Sequence, residues 1–128
     1  MSRETRYVSR EDALAIHQRS IARYGGIDGL RDEGLLDSAL AQPGQTFDGV
    51  ELYPSIAEKA ARYAYGIIKN HPFADGNKRT GAAVLAVFLR ANGARFKPRL
   101  EDMQRAILAV ADGTMGCDEL ANWIAEQL

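Results

Sequence analysis

Hydrophobic and polar positions along this chain follow a helical period in several separate segments. The most informative segment is residues 81–89, where nine consecutive residues carry no charged or polar side chain. A helix that is apolar on every side has to be surrounded by other elements, because no face of it can contact water. We therefore expect a central helix that is buried on all sides. It begins with Asn77 as its N-cap, runs to Ala91 or Asn92, and is stopped by Gly93.

Capping residues indicate where the other helices begin, and the expected N-caps of the first three helices are Ser9, Asp32 and Ser55. The strongest signal is Ser55, because Glu58 three residues later completes a capping box. The helix that follows ends near residue 71, since Pro72 disfavours helical backbone in the residue before it. Two amphipathic helices are expected in the C-terminal third of the chain, the first of them stopped by Gly113. The predicted helices cover residues 10–24, 33–41, 56–71, 78–92, 100–112 and 117–128.

One segment, residues 45–53, has an extended pattern. Two β-prone runs, Thr46-Phe47 and Val50–Tyr53, flank Asp48-Gly49, which is a turn dipeptide typical of a β-hairpin. A two-stranded ribbon is only marginally stable alone, so we expect it to lie on the helical body as a flap. Its free edge can add a strand to an extended peptide. An ordered loop without a partner explains the same residues equally well.

Composition and charge are those of an ordinary globular domain. The 128 residues are 46% hydrophobic and 26% charged, which is enough for one core and predicts a single domain over residues 1–128. The 16 Lys and Arg nearly balance the 17 Asp and Glu, so no overall basic field indicates nucleic-acid binding. The single Cys117 excludes an internal disulfide and a cysteine zinc cluster. No signal peptide or membrane-length apolar run is visible, and we expect a soluble cytoplasmic protein with an all-α fold.

The residues with chemical potential lie directly before the apolar run. His71 is suited to act as a general base for a hydroxyl group, since imidazole titrates near neutral pH. Asp75 supplies a hard oxygen ligand for Mg²⁺ that is also bound by phosphates. Asn77, Lys78 and Arg79 place polar and cationic groups at a helix N-terminus, where phosphate charge is best stabilised.

Each of these features also has a simpler structural explanation. His71 can serve only to cap a helix, Asp75-Gly76 only to turn the chain, and Lys78-Arg79 only to solvate a helix end. Their combination immediately before an apolar helix favours a functional site. His17 is interpreted as a surface or boundary residue, because no second titratable group is placed to orient it. Phe73 is interpreted as a core residue that anchors the loop.

Other types of site are excluded by spacing. The chain has no P-loop pattern and no Gly-x-Ser-x-Gly nucleophile elbow. His71 and Asp75 have the spacing of a metal-binding pair on a helix, but Pro72 and Gly76 interrupt that helix and no third ligand is nearby. The glycine-rich connector of residues 25–32 lacks the strand that a phosphate loop requires, so a tight turn is the favoured interpretation.

The stretch before the central helix resembles the signature of the Fic/Doc superfamily. It reads His71-Pro-Phe-Ala-Asp-Gly-Asn-Lys-Arg-Thr-Gly81 and matches every position of the pattern His-x-Phe-x-Asp/Glu-Gly/Ala-Asn-Gly/Lys-Arg. Residues 23–26, 29–32 and 88–93 also resemble the death-on-curing (Doc) toxins. The resemblance implies a Fic-fold helical bundle around a buried central helix, a nucleotide site, and the toxin of a type II toxin–antitoxin system.

The resemblance also bears on the reaction. AMP-transferring Fic enzymes have Gly where this chain has Lys78 and a second Arg where it has Ala82, so the chain is more similar to the Doc branch. Gly76 is typical of AMP-transferring members, although Doc relatives accept it. The Doc branch implies a protein kinase that passes the γ-phosphate of ATP to a Thr of elongation factor Tu and so blocks translation. An AMP-transferase on the same fold and a catalytically silent binding module remain alternatives.

The resemblance assigns roles to individual residues. His71 deprotonates the acceptor hydroxyl, and Asp75 holds Mg²⁺ on the phosphates of the co-substrate ATP. The implied partners are a Phd-like antitoxin, whose C-terminal segment folds over the site on binding, and a protein of the translation machinery; neither nucleic acid nor a membrane is expected. The implied phosphate-binding residues are Gly76, Asn77, Lys78 and Arg79. The implied target-docking residues of the flap are Phe47, Val50, Leu52 and Tyr53.

Overall fold

The structure, a computed structural model, describes residues 4–128. Within that range, the chain forms a helical bundle with one small antiparallel sheet, which confirms the predicted all-α class with a hairpin. None of the helices in these residues combines the length and the apolar character needed to cross a lipid bilayer. In chain order, the elements are α1 (Arg10–Tyr24), α2 (Glu33–Ala41), a 3₁₀ helix (Gln42–Gly44), β1 (Thr46–Phe47), β2 (Val50–Glu51), α3 (Ile56–Asn70), α4 (Asn77–Ala91), α5 (Leu100–Asp112) and α6 (Cys117–Glu126).

The centre of the bundle is formed by α3 and α4, which pack against each other along their lengths. Helix α3 also contacts α2, α5 and α6, whereas α4 also contacts α1 and α5. The two helices approach closely because Gly81 of α4 faces α3: a Cβ on Gly81 would lie 3.0 Å from Cγ1 of Ile68 and 3.3 Å from the carbonyl oxygen of Ala64. The hydrophobic residues of these two helices without solvent exposure are Ala60, Ala61, Tyr63, Ala64, Ile67, Val84, Leu85, Phe88 and Leu89.

Helix α4 is buried along one broad face, not on every side as its sequence predicted. Val87 is 39% exposed, and the small residues Ala82, Ala83 and Ala86 are only half-buried. The expectation of complete burial was wrong because alanine carries little apolar surface. An all-apolar stretch rich in alanine can leave one side open at small cost.

The predicted caps of three helices are confirmed. Ser9 and Ser55 each form a capping box, with Asp12 and Glu58 as their partners. The carboxylate of Asp32 accepts the backbone N–H of Leu35 at 2.9 Å and so caps α2. These side chains satisfy donors that the first turn of a helix leaves free, which explains why the helix starts were recognisable from sequence.

The hairpin forms around the predicted turn, Asp48-Gly49, but its second strand is shorter than expected. Phe47 pairs with Val50 across the turn, and β2 ends at Glu51 instead of continuing to Tyr53. The backbone bends at Leu52 and Tyr53, and the ammonium group of Lys59 on α3 donates to the carbonyl oxygen of Tyr53. The same ammonium group lies 3.0 Å from a carboxylate oxygen of Glu51.

Candidate functional site

Residues 71–76 connect the two central helices and carry the predicted chemistry. His71 is the C-cap of α3 and adopts left-handed backbone angles, with φ 50° and ψ 55°. Its own N–H still donates to the carbonyl oxygen of Ile67 at 3.2 Å, which closes the last turn of the helix. The side chain of His71 is exposed to solvent. The turn therefore presents an accessible imidazole at the end of a rigid helix.

Asn77 holds this loop together from the first position of α4. Its Oδ1 accepts the N–H of Phe73 at 3.0 Å, and its Nδ2 donates to the carbonyl oxygen of Phe73 at 3.1 Å. The N-cap of α4 is Gly76, with φ 73°, so the prediction of Asn77 as N-cap was wrong. The side chain spans the loop instead of folding back on its own helix. Nδ2 of Asn77 also lies 3.5 Å from Nδ1 of His71.

His17 supports the loop from inside the bundle. Its ring stacks on Phe73 with centroids 3.9 Å apart and 6° between the planes, and it is only 2% exposed. Nε2 lies 2.8 Å from the carbonyl oxygen of Asp75, to which it donates, and Nδ1 lies 3.8 Å from a carboxylate oxygen of Asp28. The interpretation of His17 as a surface or boundary residue was wrong. Its partner is a backbone carbonyl far along the chain, which leaves no spacing signal in the sequence.

Asp75 is held in place by two backbone donors. One carboxylate oxygen accepts the N–H of Ile27 at 3.1 Å, and the other accepts the N–H of Gly76 at 2.8 Å. These hydrogen bonds lower the pKa of the Asp75 carboxyl below its ordinary value, and the positive charge of Arg79 acts in the same direction. The carboxylate is therefore ionised at neutral pH and has a defined orientation.

The connector of residues 25–32 lies against the loop and is more than a tight turn. Leu30 and Phe73 form an antiparallel bridge, and the N–H of Ala74 donates to the carbonyl oxygen of Gly29 at 3.0 Å. Arg31 and Asp32 both donate their backbone N–H to the carbonyl oxygen of Pro72, at 2.7 and 2.9 Å. The connector thus braces the loop along most of its length.

Two cations flank the start of α4. Lys78 is exposed, whereas Arg79 is half-buried and donates through Nη2 to the carbonyl oxygen of Gly25 at 2.8 Å. The guanidinium of Arg79 also lies 5.5 Å from the ring centroid of Tyr24, within the range of a cation–π interaction. Arg79 is therefore held in one place beside the helix N-terminus, while the side chain of Lys78 is exposed to solvent.

The residues that the sequence predicted to take part in catalysis and phosphate binding lie together around one cavity of about 260 Å³. The flap residues lie outside this lining: the hairpin is attached at Lys59, twelve residues before His71 and about 18 Å away along a helix. Phe47, Val50 and Leu52 are exposed, whereas the ring of Tyr53 is half-buried beneath the guanidinium of Arg62, 4.4 Å from its centroid. The cavity is lined by His71, Ala74, Asp75, Gly76, Asn77, Lys78 and Arg79.

A metal ion at this cavity would depend on ligands from a substrate. In residues 4–128, no three His, Cys, Asp or Glu side chains cluster closely enough to hold an ion by themselves. Asp75 is half-exposed at the cavity and ionised, and each of its oxygens keeps a lone pair beyond its hydrogen bond. This arrangement fits Mg²⁺, which commonly takes one or two carboxylates and fills its remaining positions with phosphate oxygens and water.

A larger cavity of about 470 Å³ shares no residue with the motif loop. It lies at the start of α6, where Asp118 and Glu119 contribute negative charge and Arg62 is already stacked on Tyr53. Its lining contains no histidine and no second cation. The smaller cavity is therefore the better candidate for chemistry, because it combines a base, a carboxylate and a cationic helix start.

Comparisons with known proteins agree with this geometry. A model of the Fic/DOC family matches residues 7–89, a range that contains the motif loop, all of α3 and most of α4. The chain is 40% identical to Toxin Doc of Mycolicibacterium smegmatis over 119 residues, which cover 89% of this chain and 85% of that protein. It is 33% identical to Protein kinase doc of Escherichia phage P1 over 100 residues, which cover 77% and 79% of the two chains. The chain belongs to the Fic/Doc family, as a relative of the Doc toxins.

Proposed function

We propose that this protein is the toxin of a toxin–antitoxin pair and acts as a kinase that transfers the γ-phosphate of ATP to a Ser or Thr hydroxyl of a translation factor. One observation carries the proposal: an exposed histidine, an ionised carboxylate and a cationic helix start converge on a single cavity. The names of the two relatives, Toxin Doc and Protein kinase doc, support it. By family resemblance, elongation factor Tu is the expected target, which places the action in the cytoplasm.

The start of α4 is the site for the phosphates. The first N–H groups of a helix have no acceptor within that helix, and the macrodipole adds partial positive charge at the same end. Lys78 and Arg79 add two full charges beside those groups. Gly76 contributes a left-handed backbone with φ 73° that turns the chain into the helix. Asn77 contributes through its backbone, because its side-chain amide is already bonded to Phe73.

His71 is the general base of the proposed reaction. It lies at the edge of the same cavity, is reachable from solvent, and sits on the end of α3. In this role it accepts the proton of the target hydroxyl as that oxygen attacks the γ-phosphorus and ADP leaves. A correctly placed general base typically accounts for a factor of about 10²–10⁴ in rate.

Asp75 is the residue that would hold Mg²⁺. When bound, the ion neutralises charge on the phosphate oxygens. The chain's own contribution is to keep this carboxylate ionised and aimed, through the N–H groups of Ile27 and Gly76. Because both bonds come from backbone, the carboxylate needs no neighbouring side chain to hold its orientation.

Phosphate transfer is favoured over AMP transfer by the start of α4. The cavity, at about 260 Å³, is smaller than the roughly 300–1,000 Å³ of sites that enclose a whole small molecule. It fits the phosphate end of a nucleotide and leaves the nucleoside on the surface. Lys78 occupies the position where AMP-transferring relatives have Gly, so its side chain restricts close approach of phosphates to the backbone there.

The flap and the antitoxin complete the proposal. Phe47, Val50 and Leu52 present exposed apolar side chains next to an open strand edge, which suits docking of an extended target segment. Tyr53, also expected to dock the target, is half-buried under the guanidinium of Arg62 and keeps part of its surface accessible. A Phd-like antitoxin would inhibit the toxin by covering the cavity with its C-terminal segment.

The product on the target protein tests this proposal. We expect the intact mass of the purified target to increase by one phosphoryl group after incubation with the protein, ATP and Mg²⁺. We expect Lys78→Gly to weaken phosphate transfer and to admit some AMP transfer. Arg19→Ala, an exposed substitution on α1, is the matched control and should behave as wild type. An adenylyl group on the target of the wild-type protein would overturn the kinase assignment.

A further inference from the structure

Arg31, a residue of the connector outside the motif, is bonded directly to the backbone that carries His71. Its Nε donates to the carbonyl oxygen of His71 at 2.7 Å, and its Nη2 donates to the carbonyl oxygen of Asn70 at 2.9 Å. These carbonyls belong to the last turn of α3 and its cap, where a helix leaves its acceptors without partners. The guanidinium also brings positive charge to the negative end of the helix dipole.

The bonds made by Arg31 coincide with an unusual backbone conformation. His71 has φ 50°, and Asp48 in the hairpin turn is the other non-glycine residue with positive φ in residues 4–128. A side chain with a Cβ avoids this region, so the surrounding contacts have to maintain it. Arg31 supplies two of those contacts, and the backbone N–H groups of Arg31 and Asp32 hold the next carbonyl, that of Pro72.

The direction of the imidazole depends on this backbone. The ring of His71 is exposed, and its hydrogen-bond contact with the described residues is the long one of 3.5 Å to Asn77. No short side-chain bond among residues 4–128 fixes the ring, so the backbone angles, which set the direction of the Cα–Cβ bond, limit where it can point. The two nitrogens of one planar guanidinium hold two successive carbonyls, a geometry that a lysine ammonium cannot reproduce.

We infer that Arg31 is a positioning residue for His71: by clamping the carbonyl oxygens of Asn70 and His71, it holds the left-handed turn that aims the imidazole at the cavity. The inference rests on the proposed role of His71 as general base. Arg31 does not line the cavity and needs no contact with substrate. Its removal is therefore expected to lower turnover while nucleotide binding is retained.

Kinetics and NMR of three variants test this inference. Arg31→Met removes both donor nitrogens but keeps an unbranched apolar stem, Arg31→Lys keeps one donor nitrogen, and Arg19→Met is the matched control on an exposed arginine. For Arg31→Met we expect kcat to fall at least about tenfold with KM for ATP within about twofold, because misplacement of a catalytic group affects the chemical step. The kcat of Arg31→Lys should lie between those of Arg31→Met and wild type, and the kcat of the control should equal that of wild type.

The ring signals of the two histidines give a readout that does not need activity. In Arg31→Met we expect the His71 signals to shift or split while those of buried His17 stay in place, which also shows that the variant is folded. Unchanged His71 signals, a wild-type kcat, or a loss confined to KM would each overturn the inference. If wild type transferred no phosphate, the proposed function would fall by itself, and the His71 signals alone would then decide whether Arg31 positions the ring.

Discussion

His17 shows how much of the site depends on a residue outside the motif. Its ring fills the space beneath Phe73, and its Nε2–H satisfies the carbonyl oxygen of Asp75. A buried carbonyl without a donor destabilises a fold by about 1–3 kcal/mol, so this single bond matters to the loop. Asp75 is thereby held on two sides. His17 of α1 binds its carbonyl oxygen, and the N–H of Ile27 in the connector binds its carboxylate.

Replacing His17 by phenylalanine separates the packing of its ring on Phe73 from its hydrogen bond to Asp75. His17→Phe keeps a ring against Phe73 but loses the donor to Asp75, so we expect a loss of about 1–2 kcal/mol in the free energy of unfolding. Urea denaturation measures it, with the exposed neighbour Gln18→Ala as the control. Equal stability of His17→Phe and wild type would show that the bond to Asp75 contributes nothing.

Among single residues, the motif side chains were predictable and their supports were not. His71, Asp75, Gly76, Lys78 and Arg79 were identified because their chemistry is local and their spacing is short. The side-chain hydrogen bonds of His17 and Arg31 join positions 39 or more residues apart and end on backbone carbonyls. A carbonyl has the same chemistry at every position, so no residue type in the sequence marks it as a partner.

At the scale of elements, α3 positions three parts of the chain. Its C-terminal end carries His71, its first turns hold the hairpin through Lys59, and its middle holds the segment before α1. In that middle part, the hydroxyl of Tyr63 accepts the N–H of Val8 at 2.9 Å, and Tyr63 has no exposed surface. Burial raises the pKa of Tyr63 to about 12, and the bond from Val8 opposes part of this shift.

The raised pKa of Tyr63 predicts a loss of stability in alkali. The folded state holds the phenolic proton more tightly than the unfolded chain, whose value is 10.0, so stability is full below pH 10 and falls as pH rises toward 12. Tyr63→Phe should be about 1 kcal/mol less stable than wild type at pH 7, because Val8 loses its acceptor. That difference should shrink between pH 10 and 12 in thermal unfolding. A difference that stays constant across this range would contradict the assignment.

The hairpin provides a second prediction for an element. Lys59 is 1% exposed, and its ammonium group binds the carboxylate of Glu51 and the carbonyl oxygen of Tyr53, on either side of the bend after β2. Lys59→Met removes a buried charge without leaving a cavity, and its partner Glu51 is 47% exposed and stays solvated, so we expect global stability to change by no more than about 1 kcal/mol. The hairpin itself should loosen, and hydrogen exchange at the N–H of Leu52, which donates to Gln45 at 3.0 Å, should become about tenfold faster or more.

The control for this variant lies on the same helix. Lys69→Met replaces an exposed lysine of α3 and should leave exchange at Leu52 as in wild type. Unchanged exchange at Leu52 in Lys59→Met would mean that the hairpin is held by its own strand pairing. A hairpin that loosens while the bundle stays intact would fit a flap that adapts to an extended target segment.

Considered as a whole, the molecule is a helical bundle that holds one polar loop rigid between its two central helices. The helix starts were predictable because capping boxes at Ser9 and Ser55 are short-range patterns. The open side of α4 could not be predicted, because alanine is compatible with both the interior and the surface of a bundle. The pairing of the connector with the loop was also missed, since it arises only when α1 packs beside α4.

The most direct test of the central claim is the transfer of label from ATP to protein in a bacterial lysate. With ATP labelled at the γ-phosphate, the wild-type protein should label one major band, and His71→Ala should reduce that label by at least about 10², as expected for a lost general base. With ATP labelled at the α-phosphate, neither protein should label the band. Label from the α-position, or γ-label that persists in His71→Ala, would contradict the account.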